Sequence, residues 1–419
     1  MHTVNPLTKQ FLFTAKHQEI NSLKELQNSC GAFTKLGNFV HQLQKERAMS
    51  NVFLTSKVAR FSSELKQQIP ITDIAQNEFY DSITTTFLSD NAVARQPQLY
   101  NLITFSLQTL DVLPALRHQI DKQNVTPEHS TQSFTQLITS LLNIILEVAD
   151  GTNEPCISRL LIAYFNFIKH KEYAGQERAC GAQAFSSSKF TQDQKAKLAF
   201  FVQEQSHSIS IFNQYADDHL LKCYTTLKEH PVNKQVEQLR SLLQKFDDEN
   251  AQPLSHLSEV WYEVTSTRFN IMHKIEQNIN DHLIDCAAMQ IACAQRKLNA
   301  NKKLISTLEQ QYTTVTAGQL ALKNHEPTNN SATTLSCNKV MYDLILEQIQ
   351  HIKKIDQALT DVKQPINEQK VIYQAKTILI KQLKISEEHA HQQLQKQAME
   401  SLSSLYEVAK KIIEVDDND

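Results

Sequence analysis

The chain is predicted to be all-α: two packed four-helix bundles followed by a C-terminal three-helix module. Three observations predict this. Only 6 of 419 residues are glycine and 10 are proline, too few for the turns and phosphate loops of strand-rich or doubly wound folds. Apolar residues recur at helical spacing in nearly every window, the pattern of amphipathic helices. The breaks between those windows are short, which suits antiparallel bundles.

The spacing predicts helices over about 18–56, 71–89, 96–118, 131–149, 155–185, 191–229, 232–246 and 255–300. Breaks fall at Pro70, Pro97, KQNVTPEHS (122–130), DGTNEP (150–155), Pro231 and DDENAQP (247–253), where proline and clustered polar residues punctuate the pattern. The polar, apolar-poor stretch KNHEPTNNSATT (323–334) reads as a linker after a body of residues 1–322. A connecting helix over 335–364 carries a narrow stripe of Met341, Ile345, Ile352, Ile355, Leu359 and Val362. Such a stripe needs a partner helix, which predicts a homodimer. Pro365 then opens a module over 365–419, with helices near 366–383, 387–399 and 401–413. Ser386 is placed to cap the second of these, with Glu387 and Glu388 in its positive first turn.

Forty-two basic against 45 acidic side chains give a net charge of −3, so bulk charge draws no polyanion. Seven cysteines lack any CxxC or zinc spacing and read as reduced thiols. The N-terminal stretch has no signal-peptide h-region, and the strongest apolar run, Leu141–Ala149, is broken by Asn143 and Glu147. It falls short of the roughly 20 residues a membrane span needs. A cytoplasmic protein without membrane contact is expected. Sixteen histidines form no HExxH or Cys/His cluster, so neither metal nor cofactor is expected, and no nucleophile sits beside a base as an enzyme would require.

Three arginines stand where apolar residues belong. One stripe runs Leu36, Val40, Leu43, Arg47, Ser50, Leu54, and another Leu257, Trp261, Val264, Arg268, Ile271, Ile275. Arg178, in AGQERACGA, lies among Ala174, Gly175, Ala179, Gly181 and Ala182, small residues that let helices approach closely. The chain holds only nine arginines. A buried charge without a partner costs several kcal/mol, so each should be neutralised. Two accounts are open: an internal carboxylate, with Glu46, Glu172 and Glu177 as candidates, or a cavity kept for a small oxyanion such as nitrate, nitrite or a carboxylate. The planar, forked guanidinium suits either.

On these residues the sequence resembles the NIT domain, a nitrate- and nitrite-sensing helical domain of bacteria. The stretches are FVHQLQKERAMSNVFLTSKVARFSSELKQQIPITD (39–73), FIKHKEYAGQERACGAQAFSSSKFTQDQ (167–194) and VWYEVTSTRFNIMHKIE (260–276). The resemblance implies an arginine-lined anion site between two bundles, with Arg47 and Arg268 as leading ligands bridged by the anion and Arg178 completing or supporting the site.

The tail, 366–414, is similar to the ANTAR domain, a three-helix RNA-binding module. Lys370, Val371-Ile372, Ala375-Lys376, Ser386, Ala390, Leu394, Ala398-Met399 and Val408-Ala409 carry the resemblance. Gln369, Thr377, His391 and Gln395 depart from the family pattern, which has arginine at the first and last of these positions, glycine at the second and an aromatic at the third. Seven lysines against six glutamates over 365–414 leave little net charge, but Lys370, Gln374, Thr377 and Lys381 share one face of the first helix. That face, with Lys376, Lys384 and Lys396, offers cations to hairpin phosphates, and Tyr373 a ring on which an unpaired base can stack. The combination resembles nitrate-responsive transcription antitermination regulators, whose output domain binds paired hairpins in leader RNA. The alternative reading is a helical scaffold that acts through protein contacts, with weakened RNA binding or a different anion.

Overall fold

The structure, a computed structural model, describes residues 6–55, 61–88, 97–187, 191–244, 255–321 and 330–416. Among the described residues there are thirteen helices and no strand. The sensor body comprises α1 (Pro6–Thr55), α2 (Ser62–Phe87), α3 (Pro97–Leu110), α4 (Leu113–Asp121), α5 (Pro127–Gly151), α6 (Pro155–Ser187), α7 (Gln192–Tyr215), α8 (Asp218–Lys228), α9 (Pro231–Gln244) and α10 (Ser255–Ala321). The output end is α11 (Asn330–Leu383), α12 (Glu387–Ser401) and α13 (Leu405–Asp416).

The position of α6 governs everything that follows. It packs against α1, α5, α7, α9, α10 and α11, and residues 170–182 are buried without interruption. A helix covered on all sides is normally apolar all round. This one carries Lys171, Glu172, Gln176, Glu177 and Arg178, so each of those groups needs a partner from a neighbouring helix. One large apolar cluster joins α1–α8 and α10, and even takes in Val362 and Ile366 of α11. A second gathers around Trp261 between α6, α7, α9 and α10.

Several boundaries differ from the sequence expectation. Neither Pro70 nor Pro365 ends a helix; both lie inside one, in α2 and α11. Proline frees the carbonyl four residues earlier, here Lys66 and Asp361, and both residues are exposed, so water can take the bond. The predicted 96–118 helix is two, parted at Asp111 and Val112. The 191–229 helix is also two, because Asp217 caps α8 by accepting from the Leu220 amide at 3.0 Å. The first helix starts at Pro6 rather than 18, and α10 extends to Ala321. The 247–253 break and residues 323–329 of the linker lie outside the described residues, while 330–334 belong to α11.

In the output module, Ala375, Leu379, Ala390, Leu394, Val408 and Ala409 close a small core. The Ser386 hydroxyl accepts from the His389 amide at 3.4 Å, with Glu387 and Glu388 in the first turn, as predicted.

Candidate anion site and the docked output face

Arg47 is buried, and its fork is filled: Nη1 donates to Glu172 Oε1 at 2.5 Å and Nη2 to Glu172 Oε2 at 3.0 Å. Thr135 Oγ1 accepts from Nη1 at 2.9 Å. Two amides complete the carboxylate's shell, Gln44 Nε2 at 2.7 Å and Gln176 Nε2 at 2.9 Å. Gly175 makes this approach possible, since a Cβ there would sit 2.9 Å from Arg47 Nη2.

Arg178 is different. It donates to Ser266 Oγ at 3.2 Å and to the Gln44 carbonyl at 3.3 Å. Its guanidinium lies over the Phe269 ring, 4.6 Å from the centroid, with Tyr262 at 5.7 Å. Its Nε has no partner. Among the described residues it pairs with no carboxylate. Burial, reinforced by Arg47 nearby, pulls its pKa down to about 10, so the protein stabilises this cation poorly by its own means. Gln44 Oε1, on the residue that touches both Arg178 and Glu172, is also unpartnered.

Arg268 belongs to another cluster. Its Nη1 donates to Gln205 Oε1 at 3.2 Å, and Glu177 lies 3.8 Å away. Glu177 is already gripped by Arg240, whose Nε and Nη2 both lie 2.6 Å from its oxygens. Burial lowers the Arg268 pKa against the pull of Glu177, and its Nε is unpartnered. His170 beside it is held neutral, with a pKa pulled to about 3 by burial and then by Arg268. The structure thus brings Arg47 and Arg178 together around Gln44 and Glu172, and sets Arg268 with Arg240.

Sequence reasoning missed two pairing arginines. Arg117 grips Glu46 at 2.7 and 2.9 Å and reaches Asp73 at 2.7 Å. Arg117 and Arg240 stand four residues after a buried apolar residue of their own stripe, Leu113 and Val236. Stripe edges are where long cationic side chains reach inward.

The output face is covered by the sensor. Lys370 Nζ lies 2.7 Å from both Glu147 Oε2 and Asp150 Oδ2 of α5, and Gln369 donates to Asn166 of α6 at 3.2 Å. Tyr173 of α6 donates to Glu387 at 3.2 Å, and the same carboxylate pairs with Lys376 at 3.4 Å. Lys197 faces Glu388 at 3.4 Å and His391 faces Glu204 at 3.7 Å. A cavity of about 200 Å³ remains in this seam, lined in part by Lys169, Glu172, Tyr173, Tyr373, Lys376 and His391. Of the other proposed RNA residues, Lys381 lies 6.0 Å from the Phe105 ring centroid. Lys384 is exposed, with a left-handed φ of 53° just past the end of α11, and Lys396 is exposed beside Glu400 at 3.9 Å.

The family model described as nitrate and nitrite sensing, NIT, matches residues 38–284, more than half of the chain. The chain belongs to the NIT family. The ANTAR domain model matches residues 360–413, so a NIT sensor is followed here by an ANTAR module. These are sensor and RNA-binding families rather than enzyme families. The nitrate regulatory protein of Klebsiella oxytoca is 24% identical over 401 residues, covering 95% of this chain and 92% of the relative. The solved structure of the NasR transcription antiterminator shares the fold, with a TM-score of 0.61 and 22% identity over 96% of this chain and 98% of that one. No described helix is long and apolar enough to cross a membrane.

Proposed function

We propose that this NIT–ANTAR chain is a nitrate- or nitrite-responsive transcription antiterminator whose RNA face is held against its own sensor until the anion binds. The observation that carries the proposal is the covered face: Lys370, Tyr373 and Lys376 sit in the seam, with Lys370 paired to two sensor carboxylates. Cations so engaged are withdrawn from hairpin phosphates, so RNA binding requires undocking. The names of the nitrate regulatory protein and of the NasR antiterminator support the same reading.

The anion is proposed to enter between Arg47 and Arg178, with Arg268 supporting the α7 side. Arg178 is the buried guanidinium with no carboxylate partner among the described residues, and Gln44 links the two arginines, its carbonyl accepting from Arg178 and its side-chain amide donating to Glu172, the partner of Arg47. Driving an output from 1:99 to 99:1 needs about 5.5 kcal/mol of differential binding. Charge-assisted contacts contribute about 1.5–3 kcal/mol each, and only those not already made to Glu172 count toward that figure.

Leu359 and Val362 of the expected dimer stripe are buried within the chain, so a homodimer would use an adjoining exposed face. Tyr342, Leu346, Ile349 and Ile352 of α11 are 64%, 39%, 57% and 57% exposed, at spacings that line one side of a helix. A second copy of α11 would cover them, and light scattering should report twice the chain mass. The scaffold reading draws on Gln369, whose amide is spent on Asn166.

Thermal shift and RNA titration test the proposal together. Nitrate or nitrite should raise the melting temperature of the full chain and tighten its salt-sensitive grip on a paired-hairpin leader RNA. Arg178→Ala should lose both responses yet stay folded, because its removal strands no carboxylate. Equal melting and equal RNA affinity with and without either anion would overturn the proposal. An anion response without RNA binding would favour the scaffold.

A further inference from the structure

We propose that Glu172 is the anion's built-in competitor for Arg47 and the group that carries the binding signal to the output seam. The inference rests on the anion-sensing reading above and deepens it.

The geometry begins with an equivalence of shape. A carboxylate and nitrate are both planar oxyanions that present a pair of oxygens to a guanidinium fork. Glu172 already presents such a pair to Arg47, with both Nη atoms engaged and amides from Gln44 and Gln176 on the same oxygens. An anion that takes the Arg47 fork must therefore turn Glu172 out of it. The exchange replaces a tethered anion by a free one, so Arg47 is never left uncompensated, and the entering ion inherits the same amide donors.

Where the displaced carboxylate goes follows from its place on α6. Glu172 lines the seam cavity together with Lys169, Tyr173 and Gln176 of its own helix. Lys169 stands three residues earlier, on the same helix face. Its present partner is Glu204 of α7, at a loose 4.0 Å. That cavity already holds Glu204 and Glu387 against Lys169 and Lys376. The two histidines that line it add no positive charge: burial pulls His391 down to about 4, and His207 is also lowered. A third carboxylate leaves one negative charge unmatched in a half-buried space. It competes with Glu204 for Lys169 and repels Glu387, the carboxylate that accepts from Tyr173 across the seam and pairs with Lys376 on its own side of it. Separating α11 and α12 from α6 opens the cavity fully to water and completes the hydration of that charge. The buried His391 Nδ1 and Gln369 Oε1, both unpartnered in the docked seam, gain water in the same step.

The test uses the full chain in three variants, with nitrate as the probe. Calorimetric titration of Glu172→Gln should show nitrate bound about tenfold more tightly than by the wild type, the equivalent of removing one charge-assisted competitor. Its RNA affinity should no longer change with nitrate, because the carried charge is gone. Glu172→Asp keeps the charge on a shorter arm, so nitrate should bind more tightly and the RNA response should survive. Lys169→Ala should leave nitrate affinity within about twofold, the spread expected of a substitution outside the anion's contacts, and blunt the RNA response. Unchanged or weaker nitrate binding by Glu172→Gln, or a full RNA response in it, overturns the inference. If Glu172→Gln does not fold, unchanged nitrate affinity in Glu172→Asp overturns it equally. A wild-type chain that binds no nitrate removes the sensing reading itself, which separates the two failures.

Discussion

The ion pairs of the sensor interior and those of the output seam are built differently. Inside, arginines and carboxylates meet at 2.5–3.0 Å in two-pronged contacts: Arg47 with Glu172, Arg117 with Glu46, Arg240 with Glu177. Across or beside the seam, apart from Lys370, the ion pairs are lysines at 3.4–4.0 Å around a cavity, with the uncharged His391 3.7 Å from Glu204. Tight forked pairs lose much when broken, whereas loose single-point pairs lose little. Arg117–Glu46 and Arg240–Glu177 fix an architecture, Arg47–Glu172 opens only in exchange for another anion, and the second kind permits release.

That contrast can be broken most sharply in the interior. Glu276 is the counter-charge of the fully buried Lys171. Glu276→Ala should cost about 3–5 kcal/mol in chemical denaturation, since it leaves an unpaired buried ammonium. Gly181→Ala comes next. A Cβ there would collide with the indole of Trp261, whose Nε1 donates to the Arg178 carbonyl at 2.9 Å. Overpacking predicts a loss of about 1–3 kcal/mol, and a stability unchanged by the methyl would contradict the close packing of α6 on α10.

The seam should respond more gently. The double substitution Glu147→Gln, Asp150→Asn removes the sensor's hold on the partly buried Lys370 and should weaken docking by about 1 kcal/mol. Anion-free RNA binding should then rise about fivefold, with little change in the melting temperature. Acid should loosen the seam as well. Docking pulls His391 down to about 4 from the usual 6.5, by burial and then by Lys376, against Glu204. The undocked histidine therefore binds protons more readily. Docking is favoured above about pH 6.5 and weakens as pH falls toward 4, so anion-free RNA binding, corrected for its own charge dependence, should increase over that window. The facing groups are Glu204, Lys169, His207 and Phe200 from the sensor and Lys376 from α11.

The inward arginines were legible in the sequence because a long helix writes its buried face at steps of three and four, and Arg47 and Arg268 interrupt that rhythm. Arg117 and Arg240 were not, since at a stripe edge an arginine looks like a solvated neighbour. The Lys370–Glu147 and Arg47–Glu172 contacts join residues more than a hundred positions apart, and no local period records such pairing. Pro70 and Pro365 misled for a related reason: whether a freed carbonyl can turn to water depends on the face it occupies in the folded protein. The Ser386 cap and the three-helix output were readable because both rest on short-range chemistry.

The most direct measurement is a distance across the seam. Spin labels at Ser206 on α7 and Lys396 on α12, both exposed, straddle the docked interface in the full chain. The account predicts one short distance without anion and a longer or broadened distribution once nitrate saturates the protein. A distance that stays fixed while calorimetry shows nitrate bound would contradict release of the output module as the consequence of sensing.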